Sequence, residues 1–167
     1  RQAFDGTVLA RRTLRLDVPP RRVVRLPLEA VPDDPAAEVL TVTAGELRAE
    51  WFFAPDKDLR LPPPDFAATA EAVPGGAVVT VRARGLLRDL ALFPDRLDPA
   101  ATVDEQLVTL LPGEIAVFRV TGDFPDPAAV LAKPVLRCVN DVLAGAGPGG
   151  GPSGRAAPPA RPGGAAR

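Results

Sequence analysis

Apolar side chains recur at every second position in five separate runs of this chain, and that spacing constrains the fold more than any other feature. Leu14, Leu16 and Val18 alternate with Arg15 and Asp17, and Val24, Leu26 and Leu28 with Arg25 and Pro27. Leu47, Ala49, Trp51 and Phe53 alternate with Glu46, Arg48, Glu50 and Phe52. Val79, Val81 and Ala83 do so with Thr80, Arg82 and Arg84, and Ala116, Phe118 and Val120 with Val117, Arg119 and Thr121. Successive side chains of a strand point to opposite faces, so each run buries one face and wets the other. Half-solvated faces of this kind belong to antiparallel sheets.

Turn signals punctuate the runs: Pro19-Pro20, Pro32-Asp33-Asp34-Pro35, Ala44-Gly45, Pro74-Gly75-Gly76 and Pro112-Gly113. Their spacing suits the short strands of a β-sandwich. Pro74-Gly75-Gly76 reads as a hairpin turn, because glycine supplies the positive φ that such a turn needs. Helical periodicity is nearly absent. Residues 127–133 allow one turn, with Asp126 as N-cap and Pro127 in the first position. The expectation is an all-β chain.

Residues 56–64 break the alternation with charges and then three consecutive prolines, which predicts a stiff extended connector. Beyond it, strands are expected near 66–72, 77–84, 87–93, 107–111, 115–121 and 135–139, enough for one immunoglobulin-like antiparallel sandwich over residues 61–142. Residues 1–55 offer only about four or five strands, where such a sandwich takes about seven. Residues 1–60 therefore read as the C-terminal part of an incomplete second sandwich plus linker. From Ala144 onward the chain is Ala, Gly, Pro, Arg and one Ser. Having nothing to bury, the tail over 143–167 is expected to be disordered.

Composition narrows the chemistry. The 167 residues include no His, so neither a Ser-His-Asp nor a Cys-His nucleophile can be assembled, nor a His-ligated zinc site. One Cys forms no internal disulfide and no CxxC centre. The chain also lacks Met, so Arg1 is expected to be a cut end of a longer protein. Net charge is -1, which gives no reason to expect nucleic acid or an anionic membrane as partner. The tail carries Arg155, Arg161 and Arg167 and no acid, leaving about -4 on the remainder. No run reaches the ~18 apolar residues that a membrane span needs, and residues 1–6 have no apolar stretch of a secretion signal. A cytoplasmic location is the expectation; a single Cys is compatible with a reducing compartment and does not require one.

Side chains that carry chemistry are few. Asp95 with Asp98, and Asp104 with Glu105, are carboxylate pairs of the kind used in glycoside hydrolysis or in part of a calcium site. The plainer expectation is that they cap turns by accepting main-chain hydrogen bonds. Trp51, Phe52 and Phe53 form the aromatic cluster. Exposed, it would stack on a sugar ring; the alternation instead places Trp51 and Phe53 in a core with Leu47 and Ala49, and leaves Phe52 for an inter-domain contact. Cys138, in the apolar run 135–139, is expected to be buried and inert. The Gly-rich tail has no GKS/T element and no following helix, so no phosphate loop is present. No catalytic, cofactor-binding or metal-binding residue is assigned.

Four stretches taken in order resemble a known family: residues 51–62 (WFFAPDKDLRLP), 88–95 (RDLALFPD), 103–114 (VDEQLVTLLPGE) and 134–141 (PVLRCVND). The chain resembles the C-terminal part of the β-mannosidases of glycoside hydrolase family 2. In that family a catalytic (β/α)8 barrel is followed by two immunoglobulin-like sandwiches. The family often carries an aromatic residue near the position of Gln106 and Leu107, which this chain lacks. The resemblance spans about residues 1–142 and implies a non-catalytic role, with the parent's barrel as intramolecular partner, mannosides as the parent's substrates and a homo-oligomeric parent as one possibility. The two catalytic glutamates of the family lie in the barrel, so Glu50, Glu71 and Glu114 inherit no role. The alternatives are a carbohydrate-binding or interaction module and a bacterial surface repeat. The lack of an internal repeat between 1–55 and 65–142 counts against the latter.

Overall fold

The computed structural model describes residues 1–145, and within them the chain is a set of antiparallel β-sheets with little helix. Ten strands follow one another: β1 Gln2–Ala3, β2 Glu38–Ala44, β3 Leu47–Phe52, β4 Phe66–Val73, β5 Gly76–Ala83, β6 Leu87–Leu92, β7 Thr102–Val103, β8 Val108–Leu110, β9 Ile115–Thr121 and β10 Leu136–Arg137. A short helix, α1, covers Val139–Gly145.

Strands β4 to β10 build the sandwich. One sheet has the order β4-β5-β9-β7 and the other β10-β6-β8. Period two now has its consequence. Val79, Val81, Phe118 and Val120 of the first sheet meet Leu87, Leu90, Leu92, Leu110 and Leu136 of the second in one buried core. Arg82 and Arg119, the alternate residues, remain in water. The four-stranded order is that of the A-B-E-D sheet of immunoglobulin domains, whereas β8 takes the free edge of β6 in the facing sheet. The β4–β5 hairpin closes over just Pro74 and Gly75, with Gly75 at φ +80, so Gly76 already belongs to β5. Pro127–Leu131 is a 3-10 turn capped by Asp126, whose carboxylate accepts from the Ala128 N–H at 2.9 Å.

The N-terminal unit differs from expectation. It contains three strands in the order β1-β2-β3. Residues 14–18 and 24–28 alternate as strands do, yet they pair with nothing, and every residue from 7 to 29 is exposed. Alternation gives a segment two faces, but only a neighbouring strand and an opposing layer hold it as sheet. The connector differs as well. Asp56–Asp58 is a 3-10 turn, and Leu59 and Leu61 are buried with Phe4, Val39, Leu86 and Leu111 in a second core cluster. At the other end, α1 continues to Gly145, past the expected start of the tail; the remainder of that tail, 146–167, lies outside the described residues.

Candidate functional site

The second core cluster is where the two units meet, and several polar side chains around it are tied down by hydrogen bonds and ion pairs. Strand β3 lines this junction with a single face, because residues two apart along a strand point the same way. Phe52 points inward. Its ring lies 5.9 Å from that of Phe4, tilted by 53°, and the guanidinium of Arg88, from β6, stands 4.3 Å from its centroid. Phe52 thus makes the contact between units that its place in the alternation implied.

Two residues further back, on the same face, Glu50 and Arg48 continue the junction. Arg48 binds Glu50 and reaches Glu114, with 2.6 and 2.7 Å to the two carboxylate oxygens. Burial alone would lower the Arg48 pKa, but Glu114 and Glu50 outweigh it and raise it. Glu114 closes the Pro112-Gly113 turn by accepting from the Leu111 N–H at 2.8 Å. A carboxylate held by a guanidinium and an amide acts as a strut between β3 and the turn before β9. An open groove of about 810 Å³ runs past these residues, with Glu46, Glu105, Gln106 and Thr109 on its walls. Among the described residues no group of three or more His, Cys, Asp or Glu is arranged to hold a metal.

The third fastener is Asn140, at the start of α1 and fully buried. Its amide donates to the carbonyls of Pro62 and Leu86, and its oxygen accepts from the Arg88 N–H, all at 2.8 Å. One side chain thereby ties the connector, the approach to β6 and the C-terminal helix together. Nothing in the local sequence marks Asn140; its role exists only once three distant segments converge.

The other candidates have plainer places. Asp98 accepts from Asp123 N–H at 3.0 Å and Ala100 N–H at 2.9 Å, and these bonds hold its carboxyl below the usual range. Asp104 accepts from Arg119 N–H at 2.9 Å, and Asp95 lies in the first turn of the 3-10 segment Pro94–Arg96. Asp98 and Asp104 therefore serve the main chain, while Glu105 lines the groove. Cys138 is buried, and burial pushes its thiol up to about 11. Glu71 sits exposed on β4.

Trp51 overturns the expectation of a core residue: it is 65% exposed, Leu47 is 77% exposed, and Phe53 is half-buried. The alternation does set Trp51, Ala49 and Leu47 on one face. No layer of the described residues covers that face, so shared orientation does not become burial.

The fold defines an antiparallel β-sandwich protein with a second, smaller sheet docked on it. No protein-family model matches the chain, and no curated protein matches it in sequence. Among the described residues no helix is long and apolar enough to cross a membrane.

Proposed function

We propose that this chain is the non-catalytic C-terminal β-sandwich portion of a β-mannosidase whose parent hydrolyses terminal, non-reducing β-D-mannose residues. One observation carries the reading. The four stretches that resemble the family, far apart in sequence, meet at the single junction just described. Phe52, Leu59 and Leu61 come from the first, Arg88 from the second, Leu111 and Glu114 from the third, and Asn140 from the fourth. These residues fasten the three-stranded sheet to the sandwich, which is a structural task and not a chemical one. In this reading the sandwiches pack on or beside the parent's barrel and contribute to a homo-oligomeric contact.

The purified chain should give no turnover of an aryl β-mannoside, and the coding sequence upstream of Arg1 should show the strand-helix repeat of a (β/α)8 barrel. Turnover that is abolished by Glu114→Gln, or a start codon and signal peptide directly upstream, overturns the reading.

A second reading is favoured by the exposure of Trp51: a carbohydrate-binding module with an aromatic platform. Its neighbours on that face are Leu47 and Ala49, which offer no polar group to sugar hydroxyls. Titrating the emission of Trp51, the chain's one Trp, with manno-oligosaccharides separates the two readings. A saturable change favours the module, and a flat response favours the structural role.

A further inference from the structure

The outer face of the β2–β3 hairpin is wholly apolar. Its cross-strand pairs are Leu40 with Trp51, Val42 with Ala49 and Ala44 with Leu47, and all but the half-buried Leu40 are exposed. A contiguous apolar face of this kind marks a contact surface. Close by in sequence, residues 14–28 carry a matching set of apolar side chains that are also exposed.

We propose that residues 14–28 close as a β-hairpin over this face, so that the segment left open in the structure is the face's own cover. Three observations converge on it. First, the ends of the segment are already gathered. Arg1 exchanges main-chain hydrogen bonds with Ala10 (2.9 and 3.1 Å), and its guanidinium binds the Val31 carbonyl and, at 2.9 Å, Asp33. Second, a turn is already formed midway. Arg22 N–H donates to the Pro19 carbonyl at 3.2 Å, with Pro20 behind Arg21 at φ +61, as a turn with proline first and a left-handed residue second requires. Between described residues, that is the one main-chain hydrogen bond within residues 11–30.

Third, one register satisfies both faces. A five-residue loop over 19–23, with the Pro19–Arg22 turn inside it and Val23 as the extra residue, sets Val18 opposite Val24, Leu16 opposite Leu26 and Leu14 opposite Leu28. The same register sets Asp17 opposite Arg25 on the outer, solvent side. A slip of one residue would put Arg25 among the leucines and lose the ion pair. Three apolar pairs then face the three of β2–β3, as the inner faces of a sandwich do. A second copy of the chain is the competing occupant. The own segment has the advantage of its tether, because the nine residues 29–37 reach at most ~30 Å and keep it at high effective concentration. This inference does not depend on the proposed function.

The test uses the full chain. In Asp17→Cys/Arg25→Cys the two thiols lie opposite each other only in this register, on the side away from the face. The pair should oxidise within one chain at a rate independent of protein concentration, while Asp17→Cys/Val24→Cys should not. Oxidation should shift Trp51 emission to the blue and reduce its quenching by acrylamide. Leu16→Asp/Leu26→Asp should do the reverse, leaving Trp51 more quenched than in the unmodified chain. The proposal is overturned if the disulfide forms only between chains, if the shielding of Trp51 appears only with dimerisation, or if Trp51 is quenched equally in the unmodified, locked and Asp-substituted chains.

Discussion

The guanidinium of Arg88 lies 4.3 Å from the ring centroid of Phe52, and through this pair the small N-terminal sheet is seated on the sandwich. Arg88 is also 3.5 Å from Asp56 and 3.3 Å from Asp89, so its charge is compensated while its planar face covers the ring. Below the pair lie Leu59, Leu61, Leu86 and Leu111. The connector is therefore part of the packing that joins the units.

Asn140 should be the most sensitive polar residue. Asn140→Ala orphans two carbonyls and one buried N–H, each worth about 1–3 kcal/mol. A loss of at least ~3 kcal/mol is expected in urea unfolding, read from the midpoint with the slope unchanged. A loss below ~1 kcal/mol would show that water replaces all three bonds.

Two adjacent glycines should behave differently. A Cβ on Gly76 would fall 1.9 Å from the Val120 carbonyl oxygen, where the main chain of β9 passes. Gly75, at φ +80, has open space around it. Gly75→Ala is expected to cost ~1 kcal/mol through its left-handed backbone, and Gly76→Ala ~3 kcal/mol or more through the clash. Thermal unfolding of the two variants checks the order, and equal midpoints would count against the β5–β9 register.

Much of the sandwich is legible in the sequence, for identifiable reasons. Val79, Val81, Phe118 and Val120 alternate in strands that have neighbours on both sides, so periodicity and burial coincide. Pro74-Gly75 and Asp126-Pro127 carry their turn chemistry locally. Residues 14–28 show the same alternation without a partner, and there the pattern predicted strands that are not formed. Trp51 failed for the matching reason, being on a face with no opposite layer. The two residues of β7 and the helix holding Asn140 owe their places to tertiary contacts and leave no periodic trace.

Asp141 should make stability depend on pH in acid. Burial would raise its carboxyl, but Lys133 at 2.5 Å and the Cys138 N–H at 3.0 Å outweigh it and hold it below the usual value. A carboxyl depressed in the folded state contributes stability above its unfolded pKa of about 3.9, which is lost as pH falls through the folded value. Asp141→Asn should therefore be less stable than the parent at pH 7, with the difference starting to shrink below about pH 4 and vanishing only once pH has fallen past the lower folded value. A difference that grows on acidification would reverse the sign and refute the account. Because Lys133 is largely exposed, the effect at neutral pH should be modest and salt-sensitive.

Phe52 and Arg88 are the most direct link between the two units as one packed body. A double-mutant cycle in urea with Phe52→Ala, Arg88→Ala and the pair isolates their interaction from the loss of each side chain alone. A coupling of about 0.5–2 kcal/mol with a single cooperative transition is predicted. Zero coupling, or two separate transitions in the unmodified chain, would contradict it.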